Sequence, residues 1–163
     1  MTIVTKRTLL LPYSESLQSE FLLLNCSAAN RTGMDGAYTL ASAKGLFNQV
    51  LAGKGLYSMA VVEHATRDYI GHVFVNHINQ EPELGFIFAK PFWGKGIATE
   101  VLKAFLPRVC SVKKLVRVSA MVDVNHSASV AVLNKVGFTY KGQAVNSQGP
   151  YSCYEFKLGA AAH

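Results

Sequence analysis

Two closely spaced glycines, Gly94 and Gly96, mark the stretch of this 163-residue sequence that is best suited to holding a phosphate. A short apolar run over 84–88 precedes them, and Pro91 cannot continue a strand ladder, so a strand should end before it. Apolar residues then recur at helical spacing over 97–105. The pattern predicts a strand, a tight glycine turn and a helix. The free backbone N–H groups and the positive dipole end of such a helix favour a phosphate or pyrophosphate, although a plain strand-to-helix connection would use the same glycines.

The sequence around this turn, P-F-W-G-K-G-I-A-T-E, resembles motif A of the GNAT superfamily of acyl-CoA N-acyltransferases. It is most similar to the branch of the ribosomal-protein N-terminal acetyltransferases RimJ and RimL. Motif A has the form (Gln/Arg)-x-x-Gly-x-(Gly/Ala), and here Trp93, Gly96 and Ala98 take its three defined positions. Trp93 departs from the general Gln/Arg pattern, whereas an aromatic residue is familiar in the Rim-like branch. The departure does not affect the backbone amides.

A second stretch over 123–138, D-V-N-H-S-A-S-V-A-V-L-N-K-V-G-F, resembles GNAT motif B, N-x-x-S-x-x-x-L-x-K-x-G-F. Counting back from the final Gly-Phe pair, Ser129 takes the serine position and Lys135 the lysine position. The asparagine position falls on His126, directly after Asn125. Either Asn125 takes over the polar contact through a small shift of the turn, or His126 makes it, or both are simply turn residues.

The resemblance implies that acetyl-CoA is the cosubstrate and that no metal is required. The backbone amides over 94–99 would hold its pyrophosphate, and the strand end at Phe88 would lie against its pantetheine arm. The residues assigned to the cosubstrate in this way are Phe88, Trp93, Gly94, Lys95, Gly96, Ile97, Ala98, Thr99, Asn125, His126 and Ser129.

Acyl transfer to an amine needs a group that takes a proton from the amine. Glu83 opens the strand that leads into the glycine turn, where the Rim-like branch often carries a glutamate. We therefore favour Glu83 as the base or as the group that positions a water molecule, against the alternative of a solvated strand-end carboxylate. His72 and His77, which we place on the preceding strand, are weaker candidates.

The thiolate that leaves needs a proton or a hydrogen bond, and many relatives supply it from a tyrosine four residues before the Gly-Phe pair. Leu133 occupies that position here. Ser129 is our candidate for the contact to the thiolate, with Tyr140 or Tyr154 as alternatives. We interpret Cys110 as a core residue.

These elements predict an α/β (α+β) fold: one GNAT domain over 1–158, with a mixed, mostly antiparallel sheet of six to seven strands and about four helices. Three strands joined by short turns should pair antiparallel, and a helical crossover makes the next strand parallel to the one before the glycine turn. The resemblance implies that the fourth and fifth strands splay apart around acyl-CoA. We interpret 159–163 as a cloning remnant or a disordered tail. The predicted strands are 8–12, 57–62, 69–78, 83–88, 115–122, 139–145 and 151–158.

The formal net charge of +6 is concentrated over 90–141, which carries nine Lys or Arg and two acids. A basic region around a phosphate site suits coenzyme A; a nucleic-acid surface and an unspecific solvated face are the competing interpretations. Three widely spaced cysteines suggest no disulfide or zinc framework and favour the cytoplasm. We see neither a membrane-spanning run nor a signal segment.

Taken together, the resemblance implies an acetyl-CoA-dependent N-acetyltransferase whose acceptor is a primary amine, possibly a protein N-terminus. A small amine such as an aminoglycoside or a polyamine is the alternative acceptor, although a highly cationic acceptor usually needs an acidic cleft. A module that binds acyl-CoA without turnover is the alternative class, and the tyrosine missing from motif B keeps it open. Nucleic acid is a less favoured partner, and a homodimer is common among relatives.

Overall fold

A computed structural model of the chain describes residues 1–158 except Gly33, Asp35 and Gln148. The tail over 159–163, which we expected to be a cloning remnant or disordered, lies outside the described residues.

The described residues form one mixed sheet of eight strands in the order β1-β2-β3-β4-β5-β6-β8-β7. All neighbouring strands are antiparallel except β5 and β6, which are parallel. The sheet confirms the mixed, mostly antiparallel fold class, with one strand more than expected. The strands are β1 (Ile3–Val4), β2 (Thr8–Leu11), β3 (Tyr57–Glu63), β4 (Tyr69–Asn76), β5 (Glu83–Phe88), β6 (Arg117–Asp123), β7 (Thr139–Asn146) and β8 (Gly149–Lys157).

The additional strand is β1, which pairs with the edge of β2 through Ile3 opposite Leu10 and Val4 opposite Leu9. Two residues are too few to show a period of two in the sequence, so only the partner strand defines this one. A second difference concerns β4, which ends at Asn76. His77 follows it with a positive φ of 53° and therefore belongs to a turn, not to the strand on which we placed it.

Four α-helices are described, as expected: α1 (Gln18–Asn25), α2 (Leu40–Ala52), α3 (Ile97–Lys113) and α4 (Ser127–Val136). A 3₁₀ turn, Glu15–Leu17, directly precedes α1, and another, Lys90–Phe92, follows β5.

The helices cover the two faces of the sheet with separate cores. Val101, Phe105 and Val109 of α3 are fully buried in the larger core, together with Leu133 of α4. A smaller core of Phe21, Phe47 and Val50 joins α1 to α2. Successive residues of a strand point to opposite faces. In β4, Val73 accordingly belongs to the larger core, whereas the His72 ring lies 5.2 Å from the ring of Phe21.

The strands β5 and β6 lie side by side only where they begin. Their one paired position is Glu83 opposite Ser119. At this closed end the backbone N–H and the Oγ of Ser119 both donate to the Pro82 carbonyl, at 2.9 and 3.1 Å. Beyond it the two strands diverge and leave a V-shaped opening in the sheet. The splay of the fourth and fifth predicted strands is thereby confirmed.

Candidate functional site

The glycine turn has the backbone geometry that its sequence predicts. Gly94 and Gly96 have φ values of 73° and 75°, in the left-handed region that favours glycine. Gly96 is the N-cap of α3, and the first helical bond runs from the Glu100 N–H to the Gly96 carbonyl at 3.1 Å. The amides of Ile97, Ala98 and Thr99 therefore lie in the first turn, where backbone N–H groups have no partner within the helix. The helix end can donate several hydrogen bonds to one anion.

A clamp that we did not foresee holds this turn from the edge of the sheet. Arg7, between β1 and β2, donates from Nε to Glu100 Oε1 at 3.0 Å and from its backbone N–H to Glu100 Oε2 at 2.9 Å. The Thr5 hydroxyl donates to the same Oε2 at 2.7 Å, and Arg7 Nη1 donates to the Lys95 carbonyl at 2.9 Å. Although burial raises the pKa of the Glu100 carboxyl, the bonds from Thr5 and Arg7 and the Arg7 charge lower it below its usual value. The clamp joins residues 93 positions apart in sequence, so no local sequence pattern predicts it.

The indole of Trp93 points back to the strand that leads into the turn. Its Nε1–H donates to the Phe88 carbonyl at 2.7 Å, and its ring meets the His126 ring edge-on, with centroids 6.4 Å apart. Trp93 therefore closes the end of β5 and brings it next to the start of α4.

A cavity of about 230 Å³ lies between the glycine turn and α4. Its wall contains nine of the residues that the sequence assigns to the cosubstrate: Phe88, Trp93, Gly94, Gly96, Ile97, Ala98, Thr99, His126 and Ser129. Two assigned residues, Lys95 and Asn125, are not in this wall. The Lys95 Nζ lies 5.7 Å from the Phe92 ring centroid, and the exposed Asn125 donates its backbone N–H to Asp123 Oδ1 at 2.8 Å. Of the two candidates for the asparagine position of motif B, only His126 reaches the cavity.

A larger cavity of about 590 Å³ fills the opening between β5 and β6 and extends under α2 and the segment before it. Five residues belong to the walls of both cavities: Met34, Phe86, Ile87, His126 and Ser129. Because they share these walls, the two cavities adjoin and form one trough through the sheet. We call them the turn cavity and the strand cavity.

Ser129 and His126 occupy the junction of the two cavities. Ser129 lies in the first turn of α4 and is buried, whereas His126 is the N-cap of α4 and is half-buried. Burial lowers the pKa of His126, and the nearby Asp123 opposes that shift.

Glu83, our candidate base, lies at the closed end of the V and is in neither cavity wall. Its register partner on β4 is Asn76, which does line the strand cavity. Burial raises the pKa of the half-buried Glu83 carboxyl, and His77 partly opposes the rise. The role of Glu83 therefore stays a prediction.

Three of the other residues that we considered lie away from the cavities. Leu133 is fully buried in the larger core, and Tyr154 is buried beside it with its ring 5.6 Å from that of the exposed Tyr140. None of the three lines either cavity. Cys110 is buried in the larger core, and burial raises the pKa of its thiol, in agreement with a structural role.

His72 is the polar residue of the strand cavity whose surroundings the sequence did not reveal. It is buried, lines the cavity and stacks on Phe74 with ring centroids 4.9 Å apart. Its Nδ1 lies 2.9 Å from the hydroxyl of Tyr13, which lies 2.6 Å from the hydroxyl of Tyr69. Burial, assisted by the charge of Arg31, lowers the pKa of His72 to about 3. Tyr13 comes from a different part of the chain, so only the fold assembles this group.

The charge of the strand cavity is mildly positive. Among the described residues in its wall, the bases are Arg31 and Lys54 and the single acid is Asp123. Arg31 also organises the segment between α1 and α2, because its Nη2 donates to the Met34 carbonyl at 2.8 Å and its guanidinium lies 4.1 Å from the Tyr38 ring centroid.

No cluster of His, Cys, Asp or Glu suited to a metal occurs within the described part of the chain. No helix among the residues that the structure describes is both long and apolar enough to cross a membrane.

The chain belongs to the acetyltransferase (GNAT) domain family, whose sequence profile matches residues 7–139. Among curated proteins it is similar to YkkB of Bacillus subtilis (strain 168), with 31% identity over 75 residues that cover 46% of this chain and 44% of YkkB. The chain spans less than half the length of the curated relatives it matches.

Two solved structures show the same fold at low sequence identity. The ribosomal-protein-S5-alanine acetyltransferase from Vibrio fischeri has a TM-score of 0.82 and 14% identity, with 98% of each chain covered. The spermidine N-acetyltransferase from Vibrio cholerae, solved with CoA and spermine, has a TM-score of 0.82 and 17% identity, with 96% of this chain and 98% of that chain covered. The resemblance to the GNAT superfamily, with ribosomal-protein acetyltransferases among its structural neighbours, is thereby confirmed.

Proposed function

We propose that this protein is an acetyl-CoA-dependent N-acetyltransferase that moves an acetyl group directly to a primary amine. The observation that carries the proposal is the trough formed by the two adjoining cavities. One of its ends contains a helix N-terminus, a kind of site that suits a pyrophosphate, and the other is an open cavity large enough for a second substrate.

The residues of the turn cavity would hold acetyl-CoA. The amides of the first turn of α3 would bind its pyrophosphate, and the diverging edge of β5 near Ile87 would face its pantetheine arm. Acetyl-CoA supplies the activated acyl group as a thioester. The apolar walls at Phe88, Ala98 and Val132 would exclude water from the bound arm.

Two residues would handle the protons of the reaction. Glu83 would accept the amine proton through a water molecule at the closed end of the V, since its carboxyl is not in the cavity wall. Ser129, which lines both cavities, would donate a hydrogen bond to the departing sulfur. The amine nitrogen forms the new bond to carbon as the carbon–sulfur bond breaks, so no covalent bond to the protein is needed.

For the acceptor we propose the α-amine of a protein N-terminus. One neighbour of the same fold is named for acting on the alanine of ribosomal protein S5. The competing acceptor is a polyamine, because another neighbour is named for spermidine. The strand cavity carries two bases and one acid among its described residues, and this charge favours the N-terminus over a polycation.

The first experiment is calorimetric titration with acetyl-CoA, followed by assay of thiol release with peptides and polyamines. Binding together with turnover supports the proposal. Binding without turnover of any amine would favour a module that senses acyl-CoA, an alternative supported by the burial of Leu133 where many relatives have a tyrosine. A cytoplasmic location and a homodimer stay predictions, as does the absence of a nucleic-acid role, which salt-dependent retention on RNA would contradict.

A further inference from the structure

A chain of hydrogen bonds ends at the wall of the strand cavity. It runs from the Tyr69 hydroxyl to the Tyr13 hydroxyl and on to His72 Nδ1, over 2.6 and 2.9 Å. Burial raises the pKa of both tyrosines, so each hydroxyl keeps its hydrogen at neutral pH. The second ring nitrogen of His72, Nε2, has no partner among the described residues. The same residues contain no buried, unpartnered side-chain nitrogen or oxygen, so Nε2 reaches the cavity surface.

The directions of these bonds decide which ring nitrogen carries the hydrogen. If Tyr69 donates to Tyr13 and Tyr13 donates to Nδ1, every hydroxyl hydrogen is used and the imidazole hydrogen sits on Nε2. In the reverse direction Nδ1–H donates to Tyr13 and Tyr13 to Tyr69, which leaves the Tyr69 hydrogen without an acceptor among the described residues. Each direction leaves one donor without an acceptor among the described residues, the Nε2–H in the first and the Tyr69 hydroxyl in the second. We assign the first direction because its spare donor lies at the strand cavity, which Tyr69 does not line, so a bound substrate can supply the missing acceptor.

His72 is also held in its neutral form. Burial and the positive charge of Arg31 lower its pKa to about 3, so the ring is neutral under physiological conditions. A neutral imidazole with its hydrogen on Nε2 donates a hydrogen bond through that atom and accepts none through it. His72 is therefore unsuited to removing a proton from an amine in this cavity.

We propose that His72 donates its Nε2–H to the carbonyl oxygen next to the amine that is acetylated, so that the strand cavity selects a peptide N-terminus. This inference rests on the proposed function. It identifies the carbonyl oxygen as the group that distinguishes a peptide acceptor from a polyamine. A peptide places a carbonyl oxygen on the carbon adjacent to the one that bears the α-amine. A polyamine offers only ammonium N–H groups, which cannot accept a hydrogen bond.

The test uses two small acceptors, alaninamide and isopropylamine, in which a methyl group stands in place of the carboxamide that carries the carbonyl. The measured quantity is kcat/KM for alaninamide divided by kcat/KM for isopropylamine. Loss of one hydrogen bond should lower this ratio about 3- to 10-fold in His72→Phe relative to the wild type. The loss should appear in KM for alaninamide, with binding of acetyl-CoA unchanged. An unchanged ratio overturns the proposal.

Two hydroxyl deletions separate this role from a merely structural one. Tyr13→Phe removes the donor to Nδ1, so the ring can adopt the other tautomer and the ratio should fall. Tyr69→Phe leaves that donor in place, and the ratio should stay near the wild-type value. If the two variants shift the ratio equally, the network only supports the fold and the proposal is wrong.

A direct reading of the tautomer covers the case in which His72→Phe does not fold. Nitrogen-15 NMR of the wild-type protein should show the hydrogen on Nε2 of His72, and finding it on Nδ1 would overturn the proposal. The turnover assays separate this inference from the proposed function. An absence of turnover with every amine contradicts the enzyme, whereas turnover of both small acceptors with an unchanged ratio contradicts only the role of His72.

Discussion

Glu83 and Ser119 face each other at the single position where β5 and β6 pair, and the sheet opens from there toward the glycine turn. This pair closes the narrow end of the V. The turn cavity lies at the wide end, so under the proposed function a long substrate that enters beside the glycines would run along β5 toward Glu83. The Glu83 carboxyl therefore lies near the narrow end of the trough, although Glu83 lines neither cavity.

The glycine turn should tolerate no side chain at its central position. Gly96→Asp is expected to lower the affinity for acetyl-CoA at least tenfold, because it combines a φ of 75° with a carboxylate where a pyrophosphate would bind. Calorimetry measures the affinity, and circular dichroism checks the fold. Gly142→Asp is the matched control, since Gly142 also has a positive φ, of 134°, and lies on β7 away from both cavities. Equal affinity in the two variants would refute the phosphate role.

Replacing Glu83 should separate catalysis from stability. Glu83→Gln is expected to lower turnover at pH 7 by about 10²-fold, a typical contribution of a general base, with acetyl-CoA binding near normal. Since burial raises the pKa of Glu83 in the folded protein, its contribution to stability is present below the unfolded pKa and lost as pH rises through the folded value. At pH 7 the glutamine variant should therefore melt at the same or a slightly higher temperature. Unchanged turnover would remove Glu83 from the mechanism.

The clamp between Arg7 and Glu100 should stabilise the protein in a pH-dependent way. Glu100→Gln is expected to cost about 1 kcal/mol at pH 7, the size of a charge-assisted bond discounted for the exposure of Arg7. Because the folded-state pKa of Glu100 is lowered, this stabilisation is present above the unfolded pKa and disappears as pH falls through the folded value. Denaturant unfolding at several pH values measures it, with the exposed Glu81→Gln as control. A cost that does not change with pH would contradict an ionic clamp.

Restoring the tyrosine of motif B should not improve the enzyme. Leu133 is fully buried in the larger core and lies in neither cavity wall, so Leu133→Tyr should destabilise the protein by about 1–3 kcal/mol through overpacking. Turnover should not rise. Leu133→Met, which nearly conserves volume, should cost less and serves as the control. Increased turnover in the tyrosine variant would show that position 133 can reach the departing sulfur.

The parts of the site that could be predicted from the sequence are those formed by neighbouring residues. Local backbone preferences, which depend on residue type, determine the strand, the turn at Gly94 and Gly96 and the helix that follows. Motif B is similarly local, and Ser129 and His126 line the same cavity as the glycine turn. Asn125 and Lys95 were assigned to the cosubstrate as well, but neither lines the turn cavity. The direction in which each residue of a turn points is not encoded in the motif.

The sequence by itself determined the family, the order of the elements and the place of the phosphate turn, because each of these is encoded within a few consecutive residues. Only the tertiary structure decided that Arg7 clamps Glu100, that Tyr13 contacts His72, and that Leu133 faces the core. The physical reason is that strand register and helix orientation bring together side chains that are distant in sequence. These are set by the packing of the whole sheet against its helices, for which no short stretch carries a signal.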